Sequence, residues 1–381
     1  MKKISVLSIV SYQFLPPKMG GQKGIALFNR FFSKFVSLAC VTTKANLQKE
    51  ENGYKIIPVL SNQQWRYINI FYFFSIRKII KKESISHVII EHPYYGWLGI
   101  LLKYFCGIQL IVHSHNIESL RFRSMNKWWW KILWHYEKIT HQKSNINFFI
   151  TDEDRAYAIQ FFKLAKEKCH TITYGFDFNT PPTTPEKNIA KQSLLNQYEL
   201  SPETVILLFN GTLDYKPNLD ALDTILHEIN PKLIEIAPFN YRIIICGKNL
   251  ANSYNNLKDY RDKNLIYAGF VEDISLYFKG ADIFINPVTD GGGIKTKLVE
   301  ALGANLYAVS TKEGAIGVPE EITNKRLKII NSDNWNLFAE AITQANYKNS
   351  NINHLFFDHF YWENIAKKAS DIILQSNSKE S

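Results

Sequence analysis

The chain has 381 residues, 46% of them hydrophobic and 14% aromatic, which is too long for one ordinary compact core and suits two. Charged residues make up 21% and alternate with apolar segments, which excludes a disordered chain, and no window approaches the ~20 apolar residues needed to span a bilayer. The formal net charge of +10 is uneven: residues 1–175 hold 25 Lys+Arg against 10 Asp+Glu, a net of +15, and the remainder is net −5. The first half is therefore expected to meet something anionic; a membrane surface, a nucleic acid and a phosphorylated acceptor all qualify.

The N-terminal MKKISVLSIV has an apolar run too short for a signal-peptide core, and a buried first strand is expected. The loop PPKMGG follows, then a helix from about Gln22 to Phe35. HVIIEH (87–92), QLIVHSH (109–115) and FFIT (148–151) read as further strands, with the helical GWLGILLKYF between the first two and the acidic helix start DEDR after the third. Two other stretches, YINIFYFFSIRKIIKK (67–82) and NKWWWKILWHYEKITHQKS (126–144), combine aromatics with lysines. Helical spacing predicts that Trp128, Ile132 and Ile139 lie buried against the sheet, although Trp and Tyr beside Lys also suit a bilayer interface. Cys40, Cys106, Cys169 and Cys246 are scattered; reduced thiols and no metal site are expected.

FNTPPTTPEKN, around residues 178–190, reads as a linker. The pattern then restarts. TVILLFN (204–210) is a strand, and PNLDALDTILHEI is a helix with Pro217 in its first turn. YRIIICG, NLIYAGF and DIFINPV are further strands, and LYAVST (306–311) closes the set. Apolar strands alternating with helices predict two α/β domains, each a doubly wound parallel sheet, facing a cleft.

Between DIFINPV and a helix predicted over Ile294–Ala304 stand Gly291, Gly292 and Gly293. Glycine admits positive φ and close approach of backbone N–H groups, and a helix N-terminus favours an anion. Lys295 and Lys297 put two cations in the first turn, the wrong place for a helix satisfying only its own dipole. A bound phosphate resolves the conflict. Glu300, three residues after Lys297, shares its helix face.

NPVTDGGGIKTKLVEALGANLYAVSTKEGAIGV closely resembles the donor-binding segment of family 4 glycosyltransferases of the GT-B fold, in the branch with a GGGxRxKxLEA pattern. FNGTLDYKPNLDAL, ICGKN, YAGFVEDISLYFKGADIFINP and FYWENIAKKASDII fit the same family, as do HSHNIESLRFR, ITYGFD and YEKITHQKSNINFFITDEDR in the first half. The resemblance implies a Rossmann-like acceptor domain over 1–177, a linker over 178–190, a nucleotide-sugar domain over 191–358, and a terminal helix over 359–375 crossing back onto the first domain. QSNSKES at the end is expected to be disordered.

The resemblance further implies that Gly292 and Gly293 offer N–H groups to a diphosphate that Lys295 and Lys297 neutralise. Glu300 would hold ribose hydroxyls, and Phe270 and Val271 would border the base. Gly20 and Gly21 would face the phosphate and sugar from the other domain. Lys216 would add charge, because the family's usual Arg and Lys positions align with Thr212 and Pro217. Gly292 also stands where many members carry the first of two paired glutamates. The catalytic residues implied are His115 and Glu300, with Asn116, Glu118 and Arg121 toward the acceptor. The implied reaction is metal-independent transfer with retention of configuration, without a cofactor, from a nucleotide-diphosphate sugar to a glycan or lipid-linked glycan. The protein is expected in the cytoplasm, with peripheral membrane contact compatible with its basic first half. Rival readings are a sugar-nucleotide epimerase or hydrolase on the same frame and a non-catalytic homologue that binds nucleotide-sugars. A nucleic-acid binder accounts for the charge but not for the glycine-lysine helix, and none is expected as a partner.

Overall fold

The computed structural model describes residues 3–17, 20–46, 53–348 and 351–378. It divides into two units, Met1–Asp177 with His359–Ser381, and Phe178–Asp358.

The first unit is a seven-stranded sheet built from β1 (Ser5–Val10), β2 (Ser37–Thr43), β3 (Lys55–Leu60), β4 (His87–Glu91), β5 (Gln109–Ser114), β6 (Ile146–Phe149) and β7 (Cys169–Thr171). Its order is β3-β2-β1-β4-β5-β6-β7 and every pairing is parallel. The helices are α1 (Gly20–Phe32), α2 (Tyr72–Lys82), α3 (Gly96–Cys106), α4 (Glu118–Ser124), α5 (Trp130–Lys143) and α6 (Asp152–Phe161). The first of these starts earlier than the sequence suggests, so Gly20 and Gly21 open a helix rather than lie in the loop; Lys18 and Met19 lie outside the described residues. In α2, Tyr72, Ile76 and Ile80 recur every fourth residue and bury one stripe in the core with Leu7, Ile9, Val88 and Ile90. α6 is capped by the Thr151 hydroxyl, which accepts from the Asp154 N–H, and three acidic residues lie in its first turn.

The terminal helix Trp362–Ser378 packs on α1, placing the Trp362 ring 5.5 Å from Tyr174 and 6.2 Å from Phe28. Gly175 is required at this join, since a Cβ there would stand 2.4 Å from the Phe360 carbonyl oxygen. The helix extends through Gln375 to Ser378, where disorder was the expectation; residues 379–381 lie outside the described residues.

The second unit is a six-stranded parallel sheet of β8 (Val205–Asn210), β9 (Tyr241–Cys246), β10 (Leu265–Gly269), β11 (Ile283–Asn286), β12 (Tyr307–Thr311) and β13 (Leu327–Ile330), in the order β10-β9-β8-β11-β12-β13. The proline-rich stretch is helical from Thr184 onward, because Thr183 and Glu186 form a reciprocal capping box with Pro185 in the first turn. The helix at Pro217 spans Lys216–Thr224 and continues through a π-turn at Ile225–Ile229. In each sheet the strand order reverses once, between β1 and β4 and between β8 and β11. Ligands of doubly wound sheets bind at the carboxyl ends of the strands beside such a reversal.

The burial expected of three apolar side chains is also overturned. Trp128, Ile132 and Ile139 are not under the sheet; they are 83%, 66% and 51% exposed. The buried face of α5 is polar instead, formed by Glu137, Thr140 and His141. Each has internal partners: Glu137 accepts from the N–H groups of Glu118 and Ser119, Thr140 donates to the Tyr136 carbonyl, and His141 meets Ser114 and Asn147. Satisfied polar side chains can occupy an inner face and leave the apolar ones outside.

Candidate active site

In the second unit, the β11 strand ends at Asn286 and the chain turns through the glycines into the helix Thr296–Gly303. Gly291 and Gly293 have φ of +96° and +69°, which side-chain-bearing residues rarely adopt. The helix begins two residues later than predicted, so Lys295 is its N-cap and Lys297 lies in its first turn. Neither lysine extends into solvent. The Lys295 ammonium donates to the carbonyls of Gly291 (2.6 Å) and Gly293 (3.0 Å) and so ties the loop into its curve. Lys297 turns to the end of β8, donating to the Asn210 carbonyl (3.1 Å) and the Asn218 side chain (3.0 Å), 4.5 Å above the centre of the Phe209 ring. Lys297 therefore bridges β8 and the β11 loop at the reversal of the sheet. Burial, with the nearby Lys295 charge, pulls its ammonium down to about 7. An anion placed here would restore the charge.

Glu300 is half-buried in the next turn of that helix. Lys216 is exposed and paired with Asp220 on its own helix. Phe270 is exposed and Val271 half-buried, just past β10. Gly291 lies beside the Lys216 loop: a Cβ on it would sit 3.3 Å from the Tyr215 hydroxyl and 3.4 Å from Pro217.

In the first unit, the carboxyl ends of β4 and β5 carry a buried cluster that was only partly foreseen. The Nε2 of His115 lies 2.8 Å from the Glu91 carboxylate, and the Nδ1 of His113 lies 2.9 Å from the same oxygen. Burial pushes the Glu91 carboxyl up, but the two imidazoles outweigh it and hold the group well below the carboxylate range. Burial and the stacked His92 ring, 4.4 Å away, bring His115 down to about 4 against the opposing pull of Glu91. At neutral pH the pair is thus an ionised carboxylate and a neutral imidazole. The Nε2–H of His115 is committed to Glu91, and Nδ1 is the ring's acceptor.

Next to it, Glu118 is 1% exposed. Its oxygens receive His92 (3.0 Å), the Tyr94 hydroxyl (2.7 Å) and the Arg121 Nε (2.9 Å), with Asn116 at 3.4 Å. Those partners outweigh burial and keep it ionised. Glu118 therefore holds Arg121 and His92 in place, and the part of this trio that reaches solvent is Arg121. His92, at φ +66°, is in a strained conformation for a non-glycine residue, and its Nε2 meets the Tyr12 hydroxyl at 3.2 Å. Glu137 supplies the acceptors that the start of α4 lacks from its own cap; burial lifts it to about 8 despite the Ser119 donors.

Sequence reasoning missed Glu91, His92, Tyr94, Tyr12 and Glu137. The readable signal was a strand-final acid in HVIIEH, one strand over from HSH. Glu91, His113 and His115 also offer ligand atoms within 4.8 Å of one another, a donor set that a divalent metal accepts.

Two parallel α/β sheets with site residues at their reversals define a GT-B frame. Solved chains of low identity share it end to end. Anabaena Alr3699/HepE in complex with UDP-glucose superposes with a TM-score of 0.70 at 14% identity, over 98% of this chain and 100% of that one. The lipopolysaccharide outer core galactosyltransferase WaaB, in its apo form, gives 0.64 at 10% identity, over 97% and 99%. Residues 35–180 match the family model Glycosyltransferase Family 4 and residues 204–346 match Glycosyl transferases group 1, so that a glycosyltransferase model matches most of each unit. A Klebsiella pneumoniae chain described as an uncharacterized 44.6 kDa protein in the cps region is 25% identical over 282 residues, 70% of this chain and 68% of that one.

Proposed function

We propose that this glycosyltransferase moves a sugar from a nucleotide-diphosphate sugar to a hydroxyl of a glycan or lipid-linked glycan, with retained configuration, without a metal, in cell-surface polysaccharide synthesis at the cytoplasmic face of the membrane. The observation that carries the reading is the inward pair Lys295 and Lys297 on a glycine turn at the β8–β11 reversal. The amides of Gly292 and Gly293 and the Lys297 ammonium would receive the pyrophosphate, whose departure needs negative charge absorbed. Glu300 would accept from ribose hydroxyls, and Phe270 and Val271 would flank the base. In the first unit, neutral His115 would accept a hydrogen bond from a sugar hydroxyl through Nδ1, and Arg121 and Asn116 would meet the acceptor. The acceptor oxygen bonds to the anomeric carbon as the carbon–oxygen bond to the diphosphate breaks on the same face. The acceptor proton passes to the leaving phosphate oxygen. Support comes from the two family matches, from a neighbour bound to UDP-glucose and from one acting in lipopolysaccharide synthesis.

The test is release of nucleoside diphosphate from UDP-, GDP- and ADP-sugars, with and without EDTA. One donor class is expected to turn over, equally well in chelator. No release from any donor overturns the enzyme reading. Activity lost in EDTA and restored by Zn2+ would instead assign Glu91, His113 and His115 to a metal.

Donor affinity should also depend on pH through Lys297. Its ammonium titrates at about 7 in the free protein and higher beside a pyrophosphate. Affinity for the intact donor, which does not titrate near neutrality, is therefore full below pH 7 and falls by up to about tenfold per unit above it. Calorimetry from about pH 6 to 9 checks this; a flat or rising affinity contradicts it.

A further inference from the structure

We infer that Glu91, His113 and His115 form a site for a divalent transition-metal ion of the zinc class, and that an ion bound there stops the enzyme. The first sheet presets the site. Glu91 and His113 are register partners across the parallel strands β4 and β5, and His115 follows two residues on, where alternation returns the side chain to the same face. Two imidazoles and a carboxylate therefore converge at the strand ends, with one ligand atom from each within 4.8 Å of the others.

Hydrogen bonds alone do not account for this cluster. Glu91 and His113 are 1% and 2% exposed. The Nδ1 of His113 lies 2.9 Å from the Glu91 carboxylate, yet the contact is not aligned as a hydrogen bond, and its Nε2 has no partner either. Glu91 Oε1 is likewise buried without a partner. Among the described residues no lysine or arginine forms an ion pair with that carboxylate; its partners are the two imidazoles. Polar groups so deeply buried nearly always have partners. A proton shared between Glu91 and His113 would need the alignment that is missing. A cation between the three would engage the carboxylate and one nitrogen of each imidazole at once.

The distances suit zinc after a small adjustment. Bonds of about 2.0–2.2 Å put tetrahedral ligand atoms about 3.3 Å apart. The carboxylate oxygen, now 2.8 and 2.9 Å from the two nitrogens, has to withdraw by about half an ångström. Magnesium and calcium prefer oxygen ligands, whereas two imidazoles with a carboxylate suit zinc. His92, stacked 4.4 Å from His115, stands outside the set because Glu118 and Tyr12 engage its Nδ1 and Nε2. A water would supply the fourth ligand. His115 is the half-buried member and marks the side from which an ion enters.

The effect on turnover rests on the glycosyltransferase reading; the metal site does not. Coordination takes the Nε2 lone pair of His115, so the ring hydrogen moves to Nδ1. The nitrogen proposed to accept from a sugar hydroxyl becomes a donor. The ion is thus an inhibitor of a reaction that needs no metal.

The experiment is equilibrium dialysis of the chelator-stripped full chain against Zn2+ in a large excess of Mg2+, with thermal melts and donor hydrolysis on the same samples. The expected result is one Zn2+ per chain, undisturbed by Mg2+, and a higher melting temperature in Zn2+. Co2+ in its place should give the visible absorption of a four-coordinate ion. Glu91→Gln and His113→Gln should each weaken Zn2+ binding by at least about 100-fold, since losing even an outer hydrogen-bond partner of a ligand costs about 10- to 100-fold. Cys106→Ala, which removes the least buried thiol, should bind Zn2+ as the wild type does. Hydrolysis should fall as the site fills and return with EDTA. Absence of stoichiometric binding by the wild type, or of four-coordinate Co2+ absorption, overturns the site whatever the variants do. Equal affinity in both folded variants, or loss of binding in Cys106→Ala, overturns it too. Full or increased turnover with Zn2+ bound overturns the inhibition. Absence of hydrolysis in the metal-free wild type with intact Zn2+ binding would overturn the enzyme reading and leave the site standing.

Discussion

Lys297→Met is expected to lower donor kcat/KM by about 10²- to 10³-fold while lowering the melting temperature by only a few degrees. The size follows from removing one charge-assisted donor aimed at charge that develops on the leaving diphosphate. The stability follows from the free state. There the ammonium titrates at about 7 because burial and Lys295 disfavour its charge, so an apolar chain of similar length removes little. Its two hydrogen bonds, to the Asn210 carbonyl and Asn218, are the cost, about 1 kcal/mol each. A variant that melts much lower would mean that Lys297 is chiefly a structural tie between β8 and the glycine loop. A variant with normal turnover would mean that the diphosphate lies elsewhere. Steady-state kinetics on the preferred donor, beside a thermal melt, separates these outcomes.

Glu91→Gln is expected to cut kcat by about 10²-fold with donor KM unchanged, because the groups proposed to hold the pyrophosphate and the base belong to the other unit. Glu91 need not touch substrate. It accepts from the Nε2–H of His115 and so sets the tautomer of the ring, which on the proposed reading leaves Nδ1 as the acceptor. The amide is the same size but loses the charge that fixes this tautomer. A residue acting through another gives a non-additive double variant. Glu91→Gln with His115→Ala should be no slower than His115→Ala alone. Additive losses would show that Glu91 acts independently of His115, and a raised donor KM would show that it belongs to donor binding.

Much of this architecture could be read before any coordinates. Short apolar runs marked β1, β4, β5 and β6 in the first sheet and β8 to β12 in the second, and DGGGIKTKLVE marked the turn now found at the β8–β11 reversal, whereas the strands β2, β3, β7 and β13 were not read. Where each lysine reaches was not readable. That Lys295 ties its own loop while Lys297 crosses to Asn210 depends on a helix starting at Thr296, a boundary that propensity does not fix. Glu91 was hidden for a different reason. It is the last residue of a fully buried strand, and its partners come from β5, so no spacing in the chain connects them. The α5 helix misled because its period was sound and its face was inverted. Periodicity shows that bulky residues share a side, and only the partners of Glu137, Thr140 and His141 show which side is buried.

A crystal structure of the chain with its intact nucleotide-diphosphate sugar bound would test the central claim most directly. The account predicts pyrophosphate oxygens within hydrogen-bond distance of the Gly292 and Gly293 amides, with the Lys297 ammonium on the phosphate. A pyrophosphate bound away from the glycine turn, with Lys297 still seated on the Asn210 carbonyl, would contradict it.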